Sequence, residues 1–505
     1  EANQPVVEIA AGDRRHLASV TVTGAPDSEA EAIRALIPLD AGDPLLAAEL
    51  ASATLAIERH LRQQGWNRAG VRVEVEPNGT RMAVEVQIEP GPRQRLVAVE
   101  VAGDPVTETR WVERLAGLET GGWLDAEAIS KARRNLLGTG LFERVGVDVV
   151  EDPDSEADAR VRFTLDERPR YQVSYGARWE SDDGLGAVVD LFDRNVGGRG
   201  FGLGVRGQWV SDDAALRVYA NHPRVFNSPI SLDLFVEAFE EVDQGLDAEG
   251  WETSAQLSWA VRPDTRLRTY VRYRRADVVD TRLRTADRRK QRESTPVAGL
   301  QIYYDGRDDP LDPRRGLFTS FDLSGSENLL SGDDSYLRAF GQIDLHLPIP
   351  RTGGRLTWSQ GLSVGHAEVY QGQLPRDERF FAGGSRSVRG YDSRSLGPVI
   401  VLPIDGERRA LGGDTSLVLN QELRFELSPT LTGIAFFDAG RVEADFEGLL
   451  DRFDIDDDDE LRRSIGVGVR FRSPVGLLRL DLAHPLDARE QDNDIAVYIG
   501  FGHAF

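Results

Sequence analysis

From Tyr171 to Phe505 the chain alternates apolar and polar residues in short runs parted by turn formers. Tyr171, Val173, Tyr175, Ala177 and Trp179 alternate with Gln172, Ser174, Gly176 and Arg178. Leu417, Leu419, Leu423 and Phe425 alternate with Asn420, Glu422 and Arg424, and Gln421 interrupts the apolar face. Ile465, Val467, Val469 and Phe471 alternate with Gly466, Gly468, Arg470 and Arg472. Successive side chains of a strand point to opposite faces, so each run has one mainly apolar face and one polar or glycine face. A soluble sandwich alternates in the same way, but it covers its apolar face within a far smaller domain. A membrane strand needs about 9–11 residues. With turns and loops, a repeat of about 21 residues gives about sixteen strands over 169–505, an even number as single-chain bacterial barrels require. The pattern predicts an all-β transmembrane barrel of about 16 antiparallel strands.

Composition narrows the partners. The 505 residues include 60 Lys and Arg against 84 Asp and Glu, a net charge of −24. No nucleic-acid partner is expected, because phosphate binding needs clustered positive charge. There is no Cys, which excludes disulfides and zinc-thiolate sites. No apolar run is long enough for a transmembrane helix. The mean hydropathy of −0.36 looks soluble; a membrane barrel gives the same value because only alternate residues face lipid. Residue 1 is Glu and the only Met is Met82, so the chain reads as a mature or trimmed form.

Before Pro169, strand and helix patterns mix, and they repeat. Leu17–Gly24 and Leu96–Gly103 are short alternating strands that close on glycine. Each is followed by two helical patterns. Leu50, Ala53, Ile57 and Leu61 share one helix face, and the helix stops near Gly65. Asp125 is placed to cap a matching helix with Ile129, Ala132 and Leu136 on one face. Gly65 and Gly140 set a period of 75 residues. Two strands end each unit, Val71–Val75 with Ala83–Ile88 and Val145–Val149 with Ala159–Leu165. The order is β-α-α-β-β, twice. It resembles the POTRA domain, and Gly140-Leu-Phe-Glu-Arg-Val145 is similar to that family's link from second helix to second strand. Residues alone also allow two unrelated α+β modules. The reading divides the chain into an N-terminal arm (1–15), POTRA-like domains at 16–92 and 93–168, and the barrel.

Residues 379–398 form a glycine-rich block with four arginines and three aromatics. They sit in a connection, 372–414, too long for an inert linker. The block resembles the loop that carries the Val-Arg-Gly-Tyr/Phe motif of the bacterial outer-membrane assembly-factor superfamily, the BamA/TamA type. Its Phe380-Phe-Ala-Gly-Gly384 lead-in and Ser395-Leu-Gly-Pro398 exit are most similar to TamA. Arg389 is the first candidate, since its planar fork stays charged and makes bidentate hydrogen bonds. Residue types leave two readings: Arg389 docked on an acceptor inside the barrel, or Arg389 solvated with Asp438 capping a turn. Phe436-Phe-Asp-Ala-Gly440 resembles the superfamily's Phe-x-Asp-x-Gly strand motif, whose inward face holds the loop arginine. The two resemblances together imply a loop-to-barrel lock of Arg389, Gly390, Tyr391, Phe436, Asp438 and Gly440. Phe436, Asp438 and Gly440 share one face by period two. Phe436 is placed to stack on the guanidinium, Gly440 leaves room for close approach, Gly390 supplies backbone angles that a Cβ forbids, and Tyr391 anchors the tip.

Other motifs carry less. Asp305-Gly-Arg-Asp-Asp-Pro310 with Pro313-Arg-Arg-Gly316 resembles a superfamily signature, but turn formers account for most of it. Gly197-Gly-Arg-Gly-Phe-Gly202 is similar to the lead into the family's second hairpin; no helix follows, so it is not a dinucleotide fingerprint. The acidic run Asp456–Glu460 reads as a loop tip without EF-hand spacing. No metal, cofactor or enzyme site is expected. Val497, Ile499, Phe501 and Phe505 match the terminal recognition signal of outer-membrane barrels, and His503 departs from it.

Near the C-terminus short turns at 428–432 and 474–476 alternate with long connections at 372–414, 441–462 and 484–494. Short turns face the periplasm in such barrels, which puts the Arg389 loop outside and the repeats in the periplasm. The resemblance implies strand exchange at a lateral seam between the first and last strands, with Tyr171, Val173, Tyr175, Gly500, Gly502 and Phe505 on its edges. It implies insertion of client β-barrel or autotransporter-like proteins into the bilayer of the bacterial outer membrane. It also implies a periplasm-spanning partner of TamB type. Two-partner secretion through the lumen is the alternative, and a passive porin a third.

Overall fold

The chain is described here by a computed structural model. It covers residues 15–501 except 79–80, 104–105, 153–154, 182–183, 226–227, 244–245, 281–289, 328–333, 402–407, 446–460, 475 and 489–493. Residues 1–14 of the arm, the acidic run Asp456–Glu460, Gly502, His503 and Phe505 lie outside the described residues.

The N-terminal unit holds β1 (Leu17–Thr23), α1 (Ala30–Ala35), α2 (Ala47–Gln63), β2 (Gly70–Asn78) and β3 (Arg81–Glu89). The same order follows in β4 (Arg95–Ala102), α3 (Thr109–Ala116), α4 (Ala126–Leu137), β5 (Phe142–Asp152) and β6 (Ser155–Glu167). Each third strand lies at the centre of its sheet, in the orders β1-β3-β2 and β4-β6-β5. The helices bury the faces that their periodicity marks. Ala53, Ile57 and Leu61 pack with Val84, Val86 and Ile88. Ile129, Ala132 and Leu136 pack with Val145, Val161 and Phe163. Leu50 is only partly buried. Asp125 caps α4, its carboxylate accepting from the Glu127 N–H at 2.8 Å.

One linker residue ties the two repeats together. The Arg93 guanidinium lies 4.5 Å from the centre of the Trp66 ring and 4.0 Å from that of Trp123. Its Nε donates to the Gln64 carbonyl at 2.7 Å. The next residue, Gln94, donates its N–H to the Gly65 carbonyl, and its own carbonyl accepts from the Leu124 N–H. A cation shared by two rings contributes about 1–2 kcal/mol. Arg93→Ala is expected to raise the rate of limited proteolysis at Glu89 several-fold in the full chain. An unchanged rate would mean that the backbone hydrogen bonds alone hold the linker.

The second unit is one sheet of sixteen strands. Its first half is β7 (Tyr171–Glu180), β8 (Gly184–Val196), β9 (Phe201–Val210), β10 (Asp213–His222), β11 (Ile230–Asp243), β12 (Leu246–Arg262), β13 (Thr265–Asp280) and β14 (Lys290–Asp305). Next come β15 (Gly316–Ser326), β16 (Ser335–Pro348) and β17 (Leu356–Gln371). A long loop with its own small hairpin, β18 (Val399–Val401) and β19 (Arg408–Ala410), precedes β20 (Thr415–Ser428). The sheet ends with β21 (Leu431–Glu443), β22 (Arg462–Ser473), β23 (Gly476–Pro485) and β24 (Ala496–Phe501). Neighbours in this order pair antiparallel throughout.

The alternation is that of a membrane barrel. Val205, Trp209, Val236, Trp259, Ile343, Trp358, Phe425, Val467 and Ile499 are exposed on the outer face. Asn420, Glu422, Arg424, Asp438, Ser464, Arg470 and Asp481 are buried on the inner one. Gln421, the break in the apolar face, accepts a hydrogen bond from the Trp358 indole N–H at 2.9 Å, which satisfies its carbonyl where lipid offers no partner.

Two features depart from the sequence pattern. Strands β12 to β14 run 16 or 17 residues, longer than the hydrocarbon thickness requires. The alternation of short and long connections holds only towards the C-terminus. β9 and β10 are joined by two residues on the outer side, whereas ten residues join β14 to β15 on the periplasmic side. Extended hairpins there take the place of outer loops.

Candidate functional site

The loop between β17 and β20 turns back into the lumen. A backbone pair closes its base, with the Phe380 and Gly413 N–H groups each donating to the other's carbonyl. Beyond it, Val388, Arg389, Gly390 and Tyr391 are buried against β20–β24.

Arg389 is wholly buried at 0 % exposure. Its Nε and Nη2 donate to the two carboxylate oxygens of Asp438 at 2.7 and 2.9 Å. Nη1 donates to Glu422 at 2.8 Å and lies 3.5 Å from Asp481. The Phe436 ring centre is 3.5 Å from the guanidinium carbon. Asp438 also accepts from the Arg389 backbone N–H and from Asn420. Arg424 pairs with Glu422, and Arg470 with Asp481. Three guanidiniums thus face three carboxylates. Burial works against the Arg389 charge, but Asp438 and Glu422, with Asp481, outweigh it and hold the group above its ordinary value. It stays charged.

The strand glycines shape the seat. Gly440 faces Val388, and a methyl there would collide with Val388 Cγ2. Gly466 leaves space for the Phe436 ring, and Gly468 for Asp481. Gly390 has φ +98°, in the region that favours glycine, and is packed on Ser464 and Pro485. Tyr391 is buried with Val388, Leu396, Val418 and Val442, and its hydroxyl donates to the Arg463 carbonyl at 2.9 Å.

The structure thus brings together Arg389, Gly390, Tyr391, Phe436, Asp438 and Gly440. Glu422, Arg470, Asp481, Asn420 and Tyr498 join them, and sequence reasoning did not assign these to the site. Their signal was the polar face of the predicted strands, since Asn420 and Glu422 alternate on it. A second anchor was also missed. Arg274 pairs with Asp377 at 2.9 Å, Arg272 pairs with Glu378, and Arg338 donates to the Glu378 carbonyl at 3.0 Å. The loop neck is therefore held on β13 and β16 while its tip is held on β20–β24. The turn at 306–315 does more than reverse the chain. Asp308 accepts from the N–H groups of Asp309, Arg314 and Arg315, while Arg314 pairs with Glu426 and Arg472 with Asp312.

β7 and β24 are the two ends of the sheet, with no ladder between them among the described residues. They meet where the Ser181 N–H donates to the Ile499 carbonyl at 3.1 Å. Tyr171, Val173 and Tyr175 are strongly exposed on β7, Tyr175 at 85 %. Gly500 lies on the lumenal face of β24, opposite Arg479.

Known proteins agree with this geometry. A family model described as the Omp85 superfamily domain matches residues 195–505. A POTRA model, described as the surface antigen variable number repeat, matches 16–91 and 95–168. The chain is 25% identical over 409 residues to the outer membrane protein assembly factor BamA of Nitratidesulfovibrio vulgaris, covering 77% of this chain and 48% of that protein. It is 22% identical over 486 residues to BamA of Neisseria meningitidis serogroup B, covering 86% and 60%. The chain spans about half the length of the curated relatives it matches. In structure, it matches BamA from Haemophilus ducreyi lacking POTRA domains 1–3 at a TM-score of 0.76 and 17% identity, over 97% of this chain and 99% of that one. It matches CdiB from Escherichia coli at 0.54 and 15%, over 99% and 93%. A barrel-domain match over more than half of the sequence, preceded by two POTRA matches, decides the family: the chain belongs to the Omp85 superfamily, as an outer-membrane β-barrel with periplasmic POTRA domains.

Proposed function

We propose that the chain is an outer-membrane protein assembly factor that inserts client β-barrel or autotransporter-like proteins through the seam between β7 and β24. One observation carries the reading: among the described residues, the sixteen-stranded sheet has two ends that meet without a ladder. Unpaired N–H and C=O groups are costly in lipid, where no water satisfies them. A client strand supplies the missing partners by adding to an open edge. The next strand then adds to the first, and the barrel grows by hairpins. No covalent bond is made or broken, so the mechanism asks for no catalytic group. The POTRA sheets leave β2 and β5 as edge strands, where clients or a TamB-type partner would pair in the same way.

The test uses the absence of cysteine in the natural chain. Ser181→Cys with Ile499→Cys places two thiols across the closed seam, on residues already joined by a backbone hydrogen bond. Oxidation is expected to stop client insertion into proteoliposomes, and reduction to restore it. Insertion at the wild-type rate through an oxidised seam would exclude the lateral route. The fold likeness to CdiB supports a second reading, export through the lumen. That reading predicts that export of an unfolded chain survives oxidation and that the barrel conducts as a large steady pore.

A further inference from the structure

We infer that Tyr498 is a positioning residue that couples the seam to the loop lock, so that β24 leaves its place only when the loop tip leaves too. The inference rests on the lateral reading above and names the residue that would govern it. β24 is held on one side by a short ladder, Ala496–Phe501 against Leu478–Ala483. On its other side it has no ladder among the described residues. Its lumenal positions are Ala496, Tyr498 and Gly500. Tyr498 alone among these has a polar side chain, and it is 4 % exposed. Its hydroxyl accepts from the Gly390 N–H at 2.9 Å and donates to the Tyr391 carbonyl at 2.9 Å. Both groups belong to the loop tip. The Tyr498 ring packs with Ile434, Phe436 and Ala483, and Phe436 in turn lies against the Arg389 guanidinium.

The consequence follows from hydrogen-bond accounting. If β24 swings away while the loop stays docked, the Gly390 N–H and Tyr391 carbonyl lose these partners in a buried site, which is disfavoured. If the loop undocks first, β24 keeps its ladder to β23 and the contact of Ile499 with Ser181, but loses its hold on the lumen. Each movement therefore favours the other, and such coupling is reciprocal at equilibrium. Phenylalanine fills the same volume and makes neither hydrogen bond.

The experiment reads the coupling without any client. Ser385 is buried at the loop tip, and Ser385→Cys gives a thiol that a water-soluble maleimide labels only after undocking. In a chain that also carries Ser181→Cys and Ile499→Cys, the seam pair is oxidised first and the remaining thiol is then labelled. Locking the seam is expected to slow labelling at least about fivefold, the low end for two lost hydrogen bonds. Tyr498→Phe should abolish that protection and should slow formation of the seam disulfide by a similar factor. Equal labelling rates with the seam open and locked would overturn the coupling. That comparison keeps Tyr498 in place, so it stands even if Tyr498→Phe folds poorly. The outcome is separate from the lateral reading, which fails only if a locked seam still inserts clients.

Discussion

Arg389→Ala is expected to leave a folded barrel whose loop tip no longer docks, and to lower client insertion at least tenfold. The reason is charge balance in a site closed to water. Arg389 is paired with Asp438, Glu422 and Asp481, all fully buried. Without it, the three carboxylates keep Arg424 and Arg470 and lose the guanidinium that joins them. Removing one partner of a buried ion pair costs about 3–5 kcal/mol. The barrel need not unfold to relieve this, because the loop tip can move out and admit water. Protease sensitivity at the exposed Arg386 reports that movement directly. Arg389→Lys keeps the charge but loses the fork that spans both Asp438 oxygens, so only part of the activity should return. Arg389→Ala combined with Asp438→Asn removes one charge of each sign, and the cross-link with them. It should regain stability and stay inactive. Wild-type insertion by Arg389→Ala, with the loop still protected, would remove the lock from the mechanism.

The fold was legible because period-two alternation survives in a membrane, where both faces of every strand are under constraint. The repeated β-α-α-β-β order was legible from glycine-terminated strands and two helix faces of period 3.6. Loop lengths in the first half of the barrel were not, since a strand extending past the bilayer and a loop of similar composition read alike. In the site, Arg389 and Asp438 stood out because each lies in a motif. Glu422 and Asp481 did not, because a lumenal carboxylate on a barrel strand is ordinary and only three-dimensional register shows which one meets the loop. Tyr498 was read as one residue of a terminal strand. Its role depends on a contact across 107 residues, which no local pattern carries.

The second large effect needs no change of charge. Gly440→Ala is expected to expel the loop tip as Arg389→Ala does, but by steric exclusion. Gly440 lies on the lumenal face of β21 and is not among the glycines with positive φ, so alanine is compatible with the strand. The added methyl would meet Val388 Cγ2, and Val388 is itself fully buried beside Arg389. Valine is stiff about χ1 and has no open space to turn into. Overpacking of this kind costs about 1–3 kcal/mol, or roughly a five- to hundredfold rise in the undocked population at 1.4 kcal/mol per decade. The barrel's own ladders are untouched, so folding in detergent should be normal. Val388→Ala removes the obstructing methyl groups, and in the double variant Gly440→Ala, Val388→Ala the tip should dock again and insertion recover. A non-additive rescue of this sign identifies the contact. If the double variant is as inactive as Gly440→Ala alone, the glycine serves something other than clearance for the loop. If Gly440→Ala inserts clients normally while its tip is proteolysed freely, docking is not needed for assembly, and the Arg389 result must then be read as a loss of barrel stability.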